Sequence, residues 1–433
     1  MQPTQYKLRL YTATHTLLNE YLNGQAGDPS RVEYAVVDKE AGALVAEFPA
    51  SEPKSWFAFD NYFEVLVSVD GRPFQIDFEK RWFILKTELF LKDSIFRWRV
   101  TALDCNWRLR NRIVAGYAVK DEPPPTPLIN NLTNYFGAKS GPGDDMMKQV
   151  VRDNTGVTSP AYGIAGIPPN RALREFAVDP NASKAPTTQM KFAHRQMLDA
   201  LKEICKNVAE GTTKAWLSFD VSWDGTSDTF RTYVGQRGID RRGALTLSQE
   251  NAIGDGTYSE DFTDAFTVVY AGGEGQKNIR NMAVRFDSIR TGQTPNSWIE
   301  RFADAKDKSG LGWLEKDAEA RLKEGRPKFS LSVNLAQSDA LLFRRDYGYG
   351  DMLSVEFGPV QADMRIAAAR VVLEGGAEKV TIGMQASDYL GGSGDFLGTH
   401  MLTQSNDAGV FAVLRRVAEL EYYLRRVSAI NEQ

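Results

Sequence analysis

Three histidines, His15, His194 and His400, are the only imidazoles in this chain of 433 residues. They lie in separate segments, with no second ligand at helical spacing. The His-Glu-x-x-His pattern of a helical zinc peptidase is missing, and so is the Gly-x-Ser-x-Gly elbow that would expose a nucleophilic serine. Ala138-Lys139-Ser140 ends like a phosphate loop, but alanine stands where the glycine before the lysine belongs. Gly137, Gly141 and Gly143 around it read as flexible loop. Asp144-Asp145 and the cluster Glu260, Asp261 and Asp264 concentrate negative charge, yet neither has the spacing of a calcium loop. Both are expected to be solvated surface. Cys105 and Cys205 are too few and too distant for a disulfide framework, and read as two buried reduced thiols. Trp56, Trp82, Trp98 and Trp107 could line a sugar groove, but most sit in alternating segments where core packing explains them. Asn131-Leu132-Thr133 is a formal sequon that means little without a secretory signal. No catalytic residue, metal or cofactor is expected, and the chain reads as a non-enzyme.

Hydrophobic residues make up 42% of the chain and aromatics 11%, enough to build two to four packed domains. The net charge of -4 comes without a long basic run, which speaks against stable nucleic-acid binding. The N-terminus lacks an apolar core of signal-peptide length, and no stretch reaches the length of a membrane helix. Synthesis in a cytoplasm and no stable membrane insertion are therefore expected.

The elements that would carry any site are mostly strands. Phe63, Val65, Val67 and Val69 alternate with Glu64, Leu66 and Ser68. Asp70-Gly71 follows as a hairpin turn, and Phe74, Ile76 and Phe78 alternate on the return. Phe96, Trp98, Val100 and Ala102 repeat the pattern, and 43–48 adds a strand. This period of two predicts antiparallel sheet with one buried face over residues 1–115. The run Asp121-Glu122-Pro123-Pro124-Pro125-Thr126-Pro127 is read as a boundary. Residues 116–245 read as a mixed α+β domain. In it Thr187 or Thr188 caps a helix whose apolar stripe is Met190, Ala193, Met197, Leu201, Ile204 and Val208, stopped by Gly211. Trp216 to Trp223 reads as a strand, followed by an Asp224-Gly225 turn; 137–143 and 156–169 read as long loops. Residues 246–390 return to β structure, with Met282, Val284 and Phe286 alternating, an inserted helix over 298–323, and strands at 329–335, 353–357, 366–373 and 380–384. The fold class is thus α+β, mainly antiparallel β, with two similar barrels as a reading of the two β regions.

Gly391-Gly392-Ser393-Gly394 opens a last segment, 391–433. Val410, Val413, Val417, Leu420, Leu424, Val427 and Asn431 fall at alternating spacings of three and four, a heptad seam. Arg416 and Glu421 flank it at positions that could pair between helices. Valines in both classes of core position lean towards three or more strands in a coiled coil. Packing of this helix on its own chain is the alternative.

Three stretches carry a resemblance. They are 104–114 (Asp-Cys-Asn-Trp-Arg-Leu-Arg-Asn-Arg-Ile-Val), the helix-and-strand block from Met190 to Val221 closing on Gly238-Ile239-Asp240-Arg241, and 346–355 with the turn Gly350-Asp351. In this order, with the proline break between, they resemble the central hub proteins of phage tail baseplates in the form found in long-tailed siphophages. The resemblance implies a homotrimer whose chains each supply two tail-tube-like barrels. It implies a hub joining the hexameric tail tube to a threefold tip and closing or gating the channel. The implied partners are a tail-tube or distal-tail hexamer, the tape-measure protein and spike or fibre proteins, with DNA only in transit and the virion tail tip as location. A tail-associated cell-wall peptidase or lysin would need a catalytic constellation. A receptor-binding tail-tip protein would carry its aromatics on loops.

Overall fold

The computed structural model of the chain describes residues 4–22, 28–114, 136–155, 173–192, 195–210, 215–263, 265–275, 280–292, 294, 296–305, 310–326, 328–336 and 341–386. The first β region contains β1 (Gln5–Tyr11), β2 (Leu17–Leu22), β3 (Arg31–Val37), β4 (Ala43–Pro49), β5 (Tyr62–Ser68), β6 (Gln75–Lys92) and β7 (Ile95–Asp104), ending in the single turn α1 (Trp107–Arg110). The middle region contains β8 (Phe136–Pro142), α2 (Gly143–Thr155), β9 (Phe176–Val178), β10 (Thr187–Phe192), α3 (Met197–Glu210), β11 (Leu217–Trp223) and β12 (Asp228–Val234). The last region contains β13 (Thr246–Leu247), β14 (Ile253–Asp261), β15 (Val268–Gly272), β16 (Met282–Phe286), β17 (Glu300–Asp304), α4 (Leu311–Glu324), β18 (Lys328–Leu335), β19 (Met352–Phe357), β20 (Val360–Glu374) and β21 (Ala377–Ala386).

Thirteen strands join in one sheet in the order β14-β18-β21-β20-β3-β4-β7-β6-β5-β1-β2, with β19 paired to β20 and β13 to β19. The two β regions meet where β20 runs antiparallel to β3, Ala368 opposite Val37 through Glu374 opposite Arg31. Their apolar side chains form one core, in which Tyr34, Phe48, Phe63 and Trp82 share a cluster with Phe343, Leu353, Ile366 and Ile382. A second core joins α2, α3, β11 and β12 to Tyr62, Phe83 and Leu109 of the first region. A small unit, the sheet β16-β15-β17 backed by α4, has its own core around Val269, Ala271, Leu314 and Ala318.

Several local expectations hold. Asp70 and Gly71 take φ of 54° and 73° in the turn between β5 and β6, as expected, although the outermost pair is Val67 with Gln75, so the loop is longer than two residues and takes in Phe74. Both cysteines are buried and free. Others need correction. Strand β5 is buried on both faces, because the middle region covers the side where Glu64 accepts a hydrogen bond from Trp223 Nε1 at 2.6 Å. Thr187 and Thr188 are not a helix cap. They belong to β10, which pairs with β8 from Thr187 opposite Pro142, and the helix begins only at Met197. The segment 137–143 is accordingly no loop but β8 and the start of α2. A Cβ on Gly143 would lie 2.4 Å from Val208 Cγ2, so glycine is there for the close approach of α2 to α3. The helix placed at 298–323 starts at Leu311, since Glu300–Asp304 pairs in parallel with β15. On β16 the alternation is inverted: Met282, Val284 and Phe286 are exposed, while Ala283 faces α4. Asp144 is not solvated surface but buried, and accepts the N–H groups of Lys184 and Ala185, while Asp145 stays at the surface and accepts those of Ala182 and Ser183. The proline run, the loop at 156–169, Gly211 and the hinge lie outside the described residues.

Candidate functional site

The site is a charged junction inside the protein, created by one irregularity in β6. Glu64 of β5 pairs with Arg81, but the next pair is Leu66 with Ile76. A single residue, Val65, therefore faces four on β6, Asp77 to Lys80. Phe78 and Glu79 both take φ of 54°, the left-handed conformation that lets the extra residues fold out of the ladder. The bulge residues divide between two parts of the chain, Asp77 and Phe78 reaching the last region and Glu79 and Lys80 the middle one. Asp77 enters the last region, Phe78 packs on Phe343 and Tyr349, Glu79 accepts a hydrogen bond from Arg231 of β12, and Lys80 enters the middle region.

Lys80 is fully buried and donates to Asp220 of β11 and, at 2.6 Å, to the Val221 carbonyl. Asp104, at the end of β7, lies 3.6 Å from the same ammonium. Arg237 donates to the other oxygen of Asp220 and stacks its guanidinium over Tyr349 at 4.5 Å. Asn106 fills the gap: its amide donates to the Glu40 carbonyl and to Asp220, and its oxygen accepts the Val221 N–H at 2.8 Å. Burial pushes the Asp104 carboxyl up to about 6 against the pull of Lys80. Burial acts the same way on Asp220, but Arg237 and Lys80 outweigh it and hold that carboxyl below the usual range. Desolvation would lower the Lys80 ammonium, and Asp220 with Asp104 raises it instead. The junction thus keeps one carboxylate firmly charged beside two cations, the condition under which burying charge is tolerated.

On the other side of the bulge, Arg344 clasps Asp77 with two hydrogen bonds of 2.9 and 2.8 Å. It also donates to Glu378 and Tyr6, each at 2.9 Å, while Tyr34 donates to Asp77 at 2.7 Å. Arg344 itself has φ of 71°, a strained conformation held by these four side chains. A cleft of about 460 Å³ separates the two ionic clusters and is lined by Asp77, Phe78, Arg231, Arg237, Arg344 and Tyr349. Beside it, Asp228 receives Arg81 through two hydrogen bonds and Arg108 through another, with the Arg81 guanidinium 3.8 Å over the Trp223 ring. These clusters are arranged to hold regions together: every carboxylate faces a partner from another element.

The turn Gly350-Asp351 is part of the same construction. Gly350 has φ of +92°, and a Cβ there would meet the Arg237 side chain at 2.9 Å. Asp351 accepts the N–H groups of Ile239 and Gly348 at 2.6 and 2.9 Å and binds Arg241 at 3.0 Å. Gly238 N–H donates to the Gly350 carbonyl. Asp104 and Asn106, Asp220 and Gly238 to Arg241, and Gly350 with Asp351 come from the three sequence stretches singled out above, and they converge within this one junction. Sequence reasoning missed Lys80, Arg237 and Arg344. A signal existed for Lys80, which occupies the apolar phase between Phe78 and Trp82; nothing in the sequence marks the other two. The heptad residues Val410, Val413, Val417, Leu420, Leu424, Val427 and Asn431, and the flanking Arg416 and Glu421, lie outside the described residues.

No family model matches the sequence, and no curated protein matches it either. Solved structures do match its fold. The 43 kDa tail protein of prophage MuSo2 from Shewanella oneidensis aligns over 89% of this chain and 99% of its own, with a TM-score of 0.54 at 10% identity. The tail protein from Neisseria meningitidis MC58 aligns over 88% of this chain and 96% of its own, with a TM-score of 0.53 at 12% identity. The bulge junction and the continuous sheet are thus embedded in an architecture that this chain shares, as a fold, with those two tail proteins along nearly the whole of each chain.

Proposed function

We propose that the chain is a structural virion protein of the tail tip, a homotrimeric baseplate hub that joins the hexameric tail tube to the threefold tip and gates the DNA channel. The observation that supports it most is the single sheet running through both β regions across β20 and β3, in a chain with the tail-protein fold. A trimer can meet a ring of six only if each chain offers two similar surfaces. Two β regions, 1–115 and 246–390, locked to each other and to the middle region 116–245 by the bulge junction, would supply them as two barrels. The heptad seam from Val410 to Val427, in 391–433, would tie the three chains at the axis. Rigid ionic clasps suit a part that must carry load between tube and tip without changing shape. The tape-measure protein and DNA would pass through the ring, and a mildly acidic chain without basic runs lets phosphates slide rather than stick.

Light scattering of the purified chain is expected to give about three times the monomer mass, as closed cyclic assembly requires. A monomer that persists at high concentration would contradict the trimeric hub. Purified protein is likewise expected neither to clear cell walls nor to retain DNA on a column in high salt. Reproducible hydrolysis abolished by one substitution would favour a tail lysin instead.

A further inference from the structure

The small unit of β15, β16, β17 and α4 has two different faces. Residues directly opposite each other on paired strands share a face, so the register sorts them. Val269, Ala271, Ala283 and Ala303 face α4 and form the unit's own core with Leu314 and Ala318. The other face carries three rows: Phe286-Val268-Glu300, Val284-Tyr270-Phe302 and Met282-Gly272-Asp304. Phe286, Phe302 and, just ahead of β17, Trp298 are 54%, 55% and 53% exposed. Met282 and Val284 are exposed as well. An apolar sheet face turned to water in this way marks an interaction surface.

The polar groups on this face are organised around the rings. Tyr270 Oη and Trp298 Nε1 both donate to Glu300 Oε1, each at 2.8 Å. These hydrogen bonds, that of Trp298 above all, hold the Glu300 carboxyl below its ordinary range. Among the described residues no donor reaches Oε2 of the same carboxylate. The Phe286 and Trp298 ring centres lie 6.3 Å apart, tilted by 32°. Gly272 leaves room for the next ring, since a Cβ there would meet Phe302 Cζ at 2.8 Å. Arg280 fixes the far end: it donates to the Gly272 and Gly273 carbonyls and to Asp304, and its guanidinium lies 5.2 Å from the Phe302 ring centre. The result is a shallow platform roughly 10 Å across the strands and 13 Å along them, with exposed rings and a carboxylate set among them.

We propose that this face binds a neutral glycan. The exposed ring faces carry the negative side of the aromatic quadrupole and meet the polarised C–H face of a sugar ring. Hydroxyl groups at the sugar's rim then donate to Glu300, as charge-assisted hydrogen bonds. Other ligands fit this face less well. A phosphate-bearing ligand, nucleic acid or anionic lipid, would meet two carboxylates against one guanidinium. A protein partner would bury Glu300 within an apolar contact, and the centres of such contacts are depleted in charged side chains. A lone cation is held best by rings that enclose it, whereas these lie side by side on one sheet face. An uncharged ligand rich in hydroxyls satisfies the rings and the carboxylate together. The site is separate from the junction at the β6 bulge and goes beyond the hub reading, which other measurements test.

Binding of the full chain to an array of oligosaccharides tests the proposal, followed by titration calorimetry of each sugar retained. The array carries α- and β-linked oligomers of glucose, galactose, mannose and N-acetylglucosamine. Beside them stand phosphorylated sugars, a lysine-rich peptide and an amphipathic peptide. At least one neutral oligomer is expected to bind, and the phosphorylated sugars and peptides are expected to be left behind. Trp298→Ala is expected to raise the dissociation constant at least about tenfold. Glu300→Gln keeps an acceptor for Tyr270 and Trp298 but removes the charge, and is expected to raise it roughly threefold or more. Leu89→Ala, an exposed residue of β6, is expected to leave it unchanged. Trp298 and Glu300 stand on an exposed face, so both variants are expected to keep the wild-type urea midpoint, and lost binding then reports the site and not the fold. Three results overturn the proposal: no neutral sugar bound at millimolar concentration, preference for the phosphorylated sugars or a peptide, or full affinity in both Trp298→Ala and Glu300→Gln.

Discussion

Single residues in the junction carry opposing electrostatic roles. Asp104 and Asp220 share the ammonium of Lys80, yet only Asp220 also has Arg237. Asp104 holds its proton more tightly in the folded chain than at its ordinary value of 3.8, up to about 6. Its contribution to stability is therefore full below about pH 4 and is lost as the pH rises through about 6. Asp104→Asn keeps a neutral acceptor for the Asn106 N–H and removes that titration. Between pH 4 and pH 7 the wild type is expected to lose on the order of 3 kcal/mol relative to the variant in urea unfolding. Parallel pH profiles would show that Asp104 is not buried against Lys80. Gly350 makes a second test. With φ of +92° and the Arg237 side chain at 2.9 Å from any added Cβ, Gly350→Ala is expected to cost roughly 2 kcal/mol. A loss under about 0.5 kcal/mol would mean that the turn can relax away from Arg237.

At the scale of elements, the strands with a strict period of two were legible because alternation and turn chemistry act locally. β5, β7 and the Asp70-Gly71 turn follow from neighbouring residues alone. The errors arose where distant contacts decide. Glu64 and Ser68 look like a solvent face until the middle region covers them. Thr187 to Phe192 carries a helical stripe but is extended by its pairing with β8. The bulge at Asp77 to Lys80 was invisible, since its four residues continue the alternation while the backbone leaves the ladder. So the sequence stretches that converge on the site could be picked out, but not the cations that bind them. The terminal heptads give an element-scale prediction: Val417→Asp with Leu420→Asp is expected to weaken the trimer by several kcal/mol in rough terms, because charge would be buried in a seam. Unchanged trimer mass after dilution would assign this helix to its own chain.

At the scale of the molecule, we propose that one chain presents two equivalent β units to a ring of six. The continuous sheet makes this geometrically economical, because β3 and β20 lie side by side and fix the angle between the units. The middle region covers one face of β5, so any lumen-lining surface would have to come from the rest of the sheet. Small differences between the units would then absorb the mismatch between three and six. Cryo-electron microscopy of the assembled tail tip measures this directly. The expected map has three chains whose 1–115 and 246–390 regions superpose as one barrel topology and alternate around the lumen at one height. A map in which only one of the two regions lines the ring, or in which they share no topology, would contradict the account.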